Sequence, residues 1–214
     1  MAVIWQQRKD DVLYEVRTAG RTRRLYTNGV FHSQYNPANV VTGSVWDLLL
    51  LPAFFAKPGE LKRVLVLGVG GGAVIHQLHH FFDGLEIVGV ELSEVHLQVA
   101  RNHFFIDDNA ATLVCADARN WVTDYEGERF DLIIDDVFGE LLGEPQRAID
   151  ADAGWFDGLT RLLSRKGMLV MNFISRQELH DSAFFHHKRI RNQFKSAFQL
   201  TTEIYVNYVG AFCK

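Results

Sequence analysis

The chain has 214 residues and a mass of 24.4 kDa, which is room for one α/β domain with a small appendage and too little for two full domains. Apolar residues make up 48% of it, enough to bury a core and to exclude wholesale disorder. The net charge of −4, with Lys and Arg dispersed along the chain, excludes the basic footprint that a long polyanion requires, so nucleic acid is not an expected partner.

Met1 to Trp5 is apolar but runs at once into Gln, Arg, Lys and Asp, unlike a secretory leader. From Val12 to Tyr35 the pattern is strand-like: Val12, Tyr14 and Val16 alternate with Leu13, Glu15 and Arg17. Turn signals fall at Ala19-Gly20 and at Asn28-Gly29, where both residues tolerate positive φ. A small N-terminal β hairpin unit is expected. The apolar stretch from Val45 to Ala56 is broken by Asp47 and Pro52 and is far short of the roughly 20 residues that span a bilayer, so no membrane span is expected. Pro58-Gly59 then punctuates the chain, which divides the sequence into an N-terminal unit with a connecting helix (1–58) and a main domain (59–214).

From Arg63 onward, buried strand-like runs alternate with amphipathic helical stretches, the pattern of a mostly parallel sheet covered by helices on both faces. Strands are expected at Val64 to Leu67, Glu86 to Val90, Thr112 to Cys115, Phe130 to Ile134 and Met168 to Phe173. Helices are expected after Gly72, Ser93, Asp117 and Asp150, with Ser93 as an N-cap and Gly84 and Gly167 as residues that end helices. Ile190, Phe194, Ala197 and Phe198 follow helical spacing and predict a further helix. Lys188-Arg189-Ile190-Arg191 lies on it as a solvated face. The tail from Leu200 to Cys213 reads as two strand-like runs separated by Asn207. Cys115 and Cys213 lack CxxC spacing and sit in apolar runs, so buried reduced thiols and a cytoplasmic location are expected.

Ligands of open α/β sheets bind at the carboxyl ends of the strands. The first strand runs into Gly68-Val69-Gly70-Gly71-Gly72, where missing side chains let the backbone turn tightly and approach a ligand. Gly68, Gly70 and Ala73 also satisfy a GxGxxA dinucleotide fingerprint, which leaves nicotinamide or flavin open at this point. The second strand ends in Glu91, roughly twenty residues after the turn, the separation at which a carboxylate accepts hydrogen bonds from ribose hydroxyls. Asp117, beyond the third strand, is placed to accept an adenine amine or to cap the next helix, two roles that coexist. The fourth strand ends in Asp135-Asp136. Adjacent extended residues point to opposite faces, so only one of the two carboxylates is expected in the site. Nine histidines raise a metal hypothesis, but His76 and His80 lack an HExxH context and no metal site is expected. No GxSxG elbow or papain-like Cys motif is present.

Taken together these segments resemble the polyamine aminopropyltransferases, spermidine synthase and its relatives. Arg63 to Gly72 is similar to the family's cofactor loop, Val90 to Ser93 to its ribose segment, Ala116-Asp117-Ala118 to its adenine segment and Phe130 to Asp136 to its catalytic strand. The resemblance implies a Rossmann-like class I methyltransferase fold, S-adenosylmethionine or its decarboxylated form as cofactor, and a small-molecule substrate. Cofactor contacts are then expected from Gly68, Gly70, Gly72, Glu91, Asp117 and Ala118, with Asp136 as the catalytic base. The chain departs from the family where polyamine chemistry is defined. Gly71 stands where the family's loop carries an Asp for the cofactor amine. Asp136-Val-Phe-Gly-Glu140 replaces a run of Asp, hydroxyl residues, Asp and Pro, and Ser44 to Leu48 lacks the family's tyrosine and acidic contacts. Methyl transfer to an unknown small acceptor is therefore the expected reaction. Aminopropyl transfer and a catalytically silent nucleotide-binding partner protein are the alternatives, and a homodimer is left open.

Overall fold

The computed structural model describes residues 1–141, 144–203 and 206–214. The chain opens with a four-stranded antiparallel meander, β1 (Ala2–Lys9), β2 (Val12–Ala19), β3 (Thr22–Thr27) and β4 (Val30–Tyr35). Tight turns at Asp10-Asp11 and Asn28-Gly29, all at positive φ, join β1 to β2 and β3 to β4. The unit is larger than a hairpin because β1, unread in the sequence, pairs along β2. β1 leaves nearly all its side chains exposed, so it carries no inside–outside alternation to read.

A short helix α1 (Val45–Leu50) and a 3-10 turn (Leu51–Phe55) follow. Val45, Leu49 and Ala53 pack into the same core as Val64, Val66 and Leu78 of the main domain. Asp47 closes a capping box with Ser44 and accepts the N–H groups of Thr42 and Gly43.

The main sheet has seven strands in the order β12-β13-β11-β8-β5-β6-β7. β5 (Arg63–Leu67), β6 (Glu86–Glu91), β7 (Thr112–Cys115), β8 (Phe130–Asp135) and β11 (Leu163–Phe173) run parallel. β12 (Ser196–Thr201) and β13 (Tyr208–Cys213) close the edge antiparallel. α2 (Ala73–Phe81) and α3 (Glu94–Phe104) bury residues in the core that also holds α1, while α4 (Ala118–Asp124) and α5 (Ala153–Leu162) bury theirs in a second core on the other side. β9 (Phe138–Leu141) and β10 (Glu144–Arg147) form a separate two-stranded hairpin. Because β6 and β8 lie on either side of β5, the chain order reverses beside β5, and a crevice opens there at the carboxyl ends of the strands.

Three expectations are corrected. The helix expected over Ile190 to Phe198 is not formed: after α6 (Arg176–Asp181) and α7 (Ala183–His186), the short α8 (Lys188–Arg191) ends at Arg191 and β12 takes up the chain from Ser196. Ile190 and Phe194 serve the second core, but from Lys195, whose N–H donates to Cys213 O, the chain enters the β13 ladder and leaves Phe198 46% exposed. Gly167 does not end a helix: it lies inside β11, where pairing with β8 slips between Leu163 and Met168. Cys115 is exposed because β7 is an edge strand, and Cys213, the last residue of β13, is only partly buried.

Candidate functional site

A cavity of about 280 Å³ opens over the carboxyl ends of the central strands. Gly68, Gly70, Glu91, Asp117, Ala118 and Asp136 all line it. Gly72 does not. It initiates α2 in the left-handed region at φ +82°, and a Cβ there would meet Ile106, so its part is in the turn and the packing.

Gly68 is fixed by space and by backbone together: φ is +81°, and a Cβ would collide with the carbonyl oxygen of Asp136. The turn's N–H groups are largely engaged inside the protein. Gly68 N–H donates to Val90 O, Gly72 N–H to Val69 O, and the N–H groups of Val69 and Gly70 both donate to Glu91 Oε2 at 3.0 Å. The loop as it stands therefore offers close approach more than free donors. Glu91 Oε1 accepts Ser93 N–H at 2.9 Å and lies 3.6 Å from His96 Nδ1. Burial alone would raise the Glu91 carboxyl, but the hydrogen bond and charge of His96 and the N–H groups of Ser93 and Gly70 outweigh it and bring it to about 2. His96 Nε2 is in turn 2.8 Å from Thr27 Oγ1 of β3, which ties the N-terminal sheet to the cavity. Asp117 caps α4 by accepting Asn120 N–H at 2.9 Å and also lines the cavity.

The two carboxylates at the end of β8 diverge as the strand geometry requires. Asp135 is fully buried and accepts from Arg147 Nη2 and Trp155 Nε1, each at 2.8 Å. Asp136 faces the cavity and accepts Asn172 Nδ2 at 2.8 Å. Burial pushes the Asp136 carboxyl up to about 7. Hydrogen bonds from Asn172 and Trp46 and the charge of Arg147 oppose the rise, and the neighbouring Asp135 carboxylate adds to it.

Sequence reasoning missed Trp46, His96, Arg147, Asn172 and Asn207. Arg147 is buried at the end of β10 and donates to Asp135, to Asn172 O at 2.5 Å and to Ile149 O at 3.2 Å, with its guanidinium over the Phe173 ring. It moors the β9–β10 hairpin to the ends of β8 and β11. Only His96, one turn into the helix after Glu91, had a local signal. The histidines of α2 serve packing: His76 bonds Phe104 O and stacks on Tyr35, and His79 bonds Ala110 O. Among the described residues no group of three metal-ligating side chains assembles, and no helix is long and apolar enough to cross a membrane.

The family model described as "Methyltransferase domain" matches residues 59–207. The chain belongs to that family. It is also 28% identical over 169 residues to a polyamine aminopropyltransferase of Caldanaerobacter subterraneus subsp. tengcongensis, covering 78% of this chain and 55% of the relative. The chain spans about half the length of the curated relatives it matches. Among solved structures it is similar to a spermidine synthase in complex with the transition state analogue AdoDATO, with a TM-score of 0.74 at 16% identity, over 99% of this chain and 73% of that one. It is likewise similar to human methyltransferase-like protein 13 in complex with SAH, with a TM-score of 0.59 at 21% identity, over 80% of each chain. The fold is thus the Rossmann-like class I methyltransferase fold in its spermidine synthase-like form, with the expected mostly parallel central sheet and an N-terminal antiparallel sheet.

Proposed function

We propose that the protein is a transferase that moves an alkyl group from an adenosyl sulfonium to an amine, with aminopropyl transfer from decarboxylated S-adenosylmethionine as the leading reaction. The observation that carries this reading is one cavity holding Glu91 and Asp117 at one side and a near-neutral Asp136 at the other. The curated relatives are aminopropyltransferases and favour this donor over the methyl donor expected from the sequence. The residues fit an adenosyl group: Glu91 presents a carboxylate for ribose hydroxyls, Asp117 an acceptor for the adenine amine, and Ala118 and Val90 apolar surface. Gly68 and Gly70 leave room where any side chain would meet backbone.

When bound, the donor supplies an electrophilic carbon next to a positively charged sulfur. The chain supplies orientation and a base. Asp136, held by Asn172 and Trp46, takes the proton that the acceptor nitrogen loses. The hairpin moored by Arg147 contributes Phe138, Gly139 and Pro145 to the cavity wall, which restricts water at the reacting atoms.

Methyl transfer from S-adenosylmethionine is a second reading favoured by one specific observation. At Gly71, where the family carries an acidic contact for the donor's amine, a Cβ would lie 2.8 Å from the Phe104 ring, so this chain has filled the place of that carboxylate with an aromatic side chain. Incubation with each donor and a panel of amines, read by mass spectrometry, separates the readings. An aminopropyl mass gain supports the first and a methyl gain the second. Donor binding without transfer to any amine points to a silent nucleotide-binding protein.

A further inference from the structure

The two edges of the main sheet differ. β7, at one edge, is four residues long. β12, at the other, is the six residues Ser-Ala-Phe-Gln-Leu-Thr, paired with β13 along its whole length without a bulge. It carries neither a charge nor a proline, the usual devices that keep a strand edge from pairing again.

Alternation divides the main-chain groups of β12 between its two sides. Lys214 N–H donates to Gly167 O of β11, while Cys213 O faces the other way and accepts Lys195 N–H. Cys213, Ala211 and Val209 therefore turn their main-chain groups toward β12, where Ser196, Phe198 and Leu200 meet them. Ala197, Gln199 and Thr201 direct theirs outward, and among the described residues no strand takes them up. The side chains of Phe198 and Leu200 share one face of the sheet. Leu200 packs on the first core, and the Phe198 ring lies 5.0 Å from Phe55 of the 3-10 turn. Phe54, next in the turn, meets Phe81 at 5.4 Å, and all four of these phenylalanines are exposed. Aromatic surface thus runs from the strand edge across the turn to the end of α2, the kind of patch that marks a contact with another protein.

We infer that β12 pairs antiparallel with β12 of a second copy of this chain, about a two-fold axis at Gln199. The register follows from the main chain. Outward groups must meet outward groups, so Gln199 faces its own copy and Ala197 faces Thr201 across the axis, a self-complementary ladder. The same register sets Phe198 opposite Leu200 of the second copy, in the pairs whose side chains approach most closely, with Phe55 beside them. It also sets Lys195, just before β12, opposite Glu203, just beyond it. Both are exposed, and the two-fold makes the match twice. A slip of two residues keeps the main-chain match but parts these charges. Charge complementarity therefore points to a second copy in this one register.

Sedimentation velocity of the full chain tests this. Between about 1 and 100 μM a monomer–dimer equilibrium is expected, since even modest interfaces reach micromolar affinity. A monomer throughout overturns the inference. Phe198→Lys places two cations beside the axis and is expected to weaken the dimer by at least about tenfold. Lys195→Glu sets like charges against each other at both ends and should weaken it by about tenfold. Combining Lys195→Glu with Glu203→Lys restores opposite charges and should return the affinity to within about threefold of wild type. A dimer indifferent to Lys195→Glu, or one that the double exchange fails to restore, forms through another face and overturns the inference. Circular dichroism checks that each variant is folded. If Phe198→Lys is not, the charge exchange decides, because both of its side chains stand in solvent.

Discussion

Burial beside the Trp46 indole and the Asn172 amide lifts the Asp136 carboxyl to about 7, which places its ionisation where a base for an amine proton is useful. Activity is expected to rise as pH passes upward through about 7, and Asp136→Asn to lose about 10² to 10⁴ in rate while still binding the donor. The same shift has a cost in stability. The folded chain holds this proton more tightly than the unfolded one, whose carboxyl titrates near 3.8, so stability falls as pH rises from about 4 to about 7. Removing the charge should therefore make Asp136→Asn more stable than wild type at pH 8, by up to roughly 4 kcal/mol, with the gap closing toward pH 4. Denaturant melts across pH check this, and equal stability at pH 8 would show that Asp136 is better solvated than its surroundings suggest. Gly71 gives a second prediction at this scale. Gly71→Asp is expected to destabilise by about 1 to 3 kcal/mol through overpacking against Phe104, and Phe104→Leu in the same chain to recover part of the loss. Retained stability in the single variant would mean that the loop yields without strain.

The β9–β10 hairpin is held over the site chiefly through one buried guanidinium, and this makes a prediction at the scale of the element. Arg147→Met leaves Asp135 buried without its cation, a change that typically costs about 3 to 5 kcal/mol. The double variant Arg147→Met with Asp135→Asn removes the orphaned charge, while Trp155 retains an acceptor at that place, so most of that loss should return. Both variants should nevertheless raise KM for the acceptor, because the hairpin loses its mooring to Asn172 O and Ile149 O. Chemical denaturation with steady-state kinetics separates the two effects. The strands of this sheet were largely legible: β5, β6 and β8 are mainly apolar runs closed by Gly68, Glu91 and Asp135, and the end of β11 is apolar from Met168 to Met171, a pattern fixed by burial on both faces. The edges were not. β1 is exposed nearly throughout, and the apolar residues from Ile190 to Phe198 satisfy a helical period while Lys195 onward pairs with β13. The side of the cavity lined by Gly68, Glu91 and Asp117 was legible for the same local reason, since each of the three ends or follows a strand. The other side of the cavity brings together Trp46, Asp136, Asn172 and Asn207 from α1, the residue after β8, β11 and the approach to β13, and no spacing rule connects positions so far apart in the chain.

At the scale of the molecule, the N-terminal sheet and the main domain meet at the Glu91 side of the cavity. Thr27 of β3 reaches His96 of α3, His96 lies beside Glu91, and Glu91 gathers the N–H groups of Val69 and Gly70. A ligand seated on Glu91 therefore braces the glycine turn, α3 and the N-terminal sheet together, and should stabilise the whole fold and not one loop. With donor at about 100 times its dissociation constant, linkage adds roughly 2.7 kcal/mol, which for a chain of this size corresponds to a rise in Tm of about 5 to 10 °C. S-adenosylmethionine or its decarboxylated form is expected to give this rise, and NAD is not, although the turn satisfies a dinucleotide fingerprint. The comparison variant is Glu91→Ala. Its carboxylate is held near 2, so the stability it contributes is complete above about pH 4.5 and is lost as pH falls toward 2. At neutral pH the variant should melt lower than wild type, because the turn's N–H groups lose their acceptor. It should also give a much smaller donor-induced shift at the same ligand concentration. A full shift in Glu91→Ala would move the ribose contact elsewhere, and a shift with NAD alone would replace the adenosyl sulfonium by a dinucleotide as the ligand of this cavity.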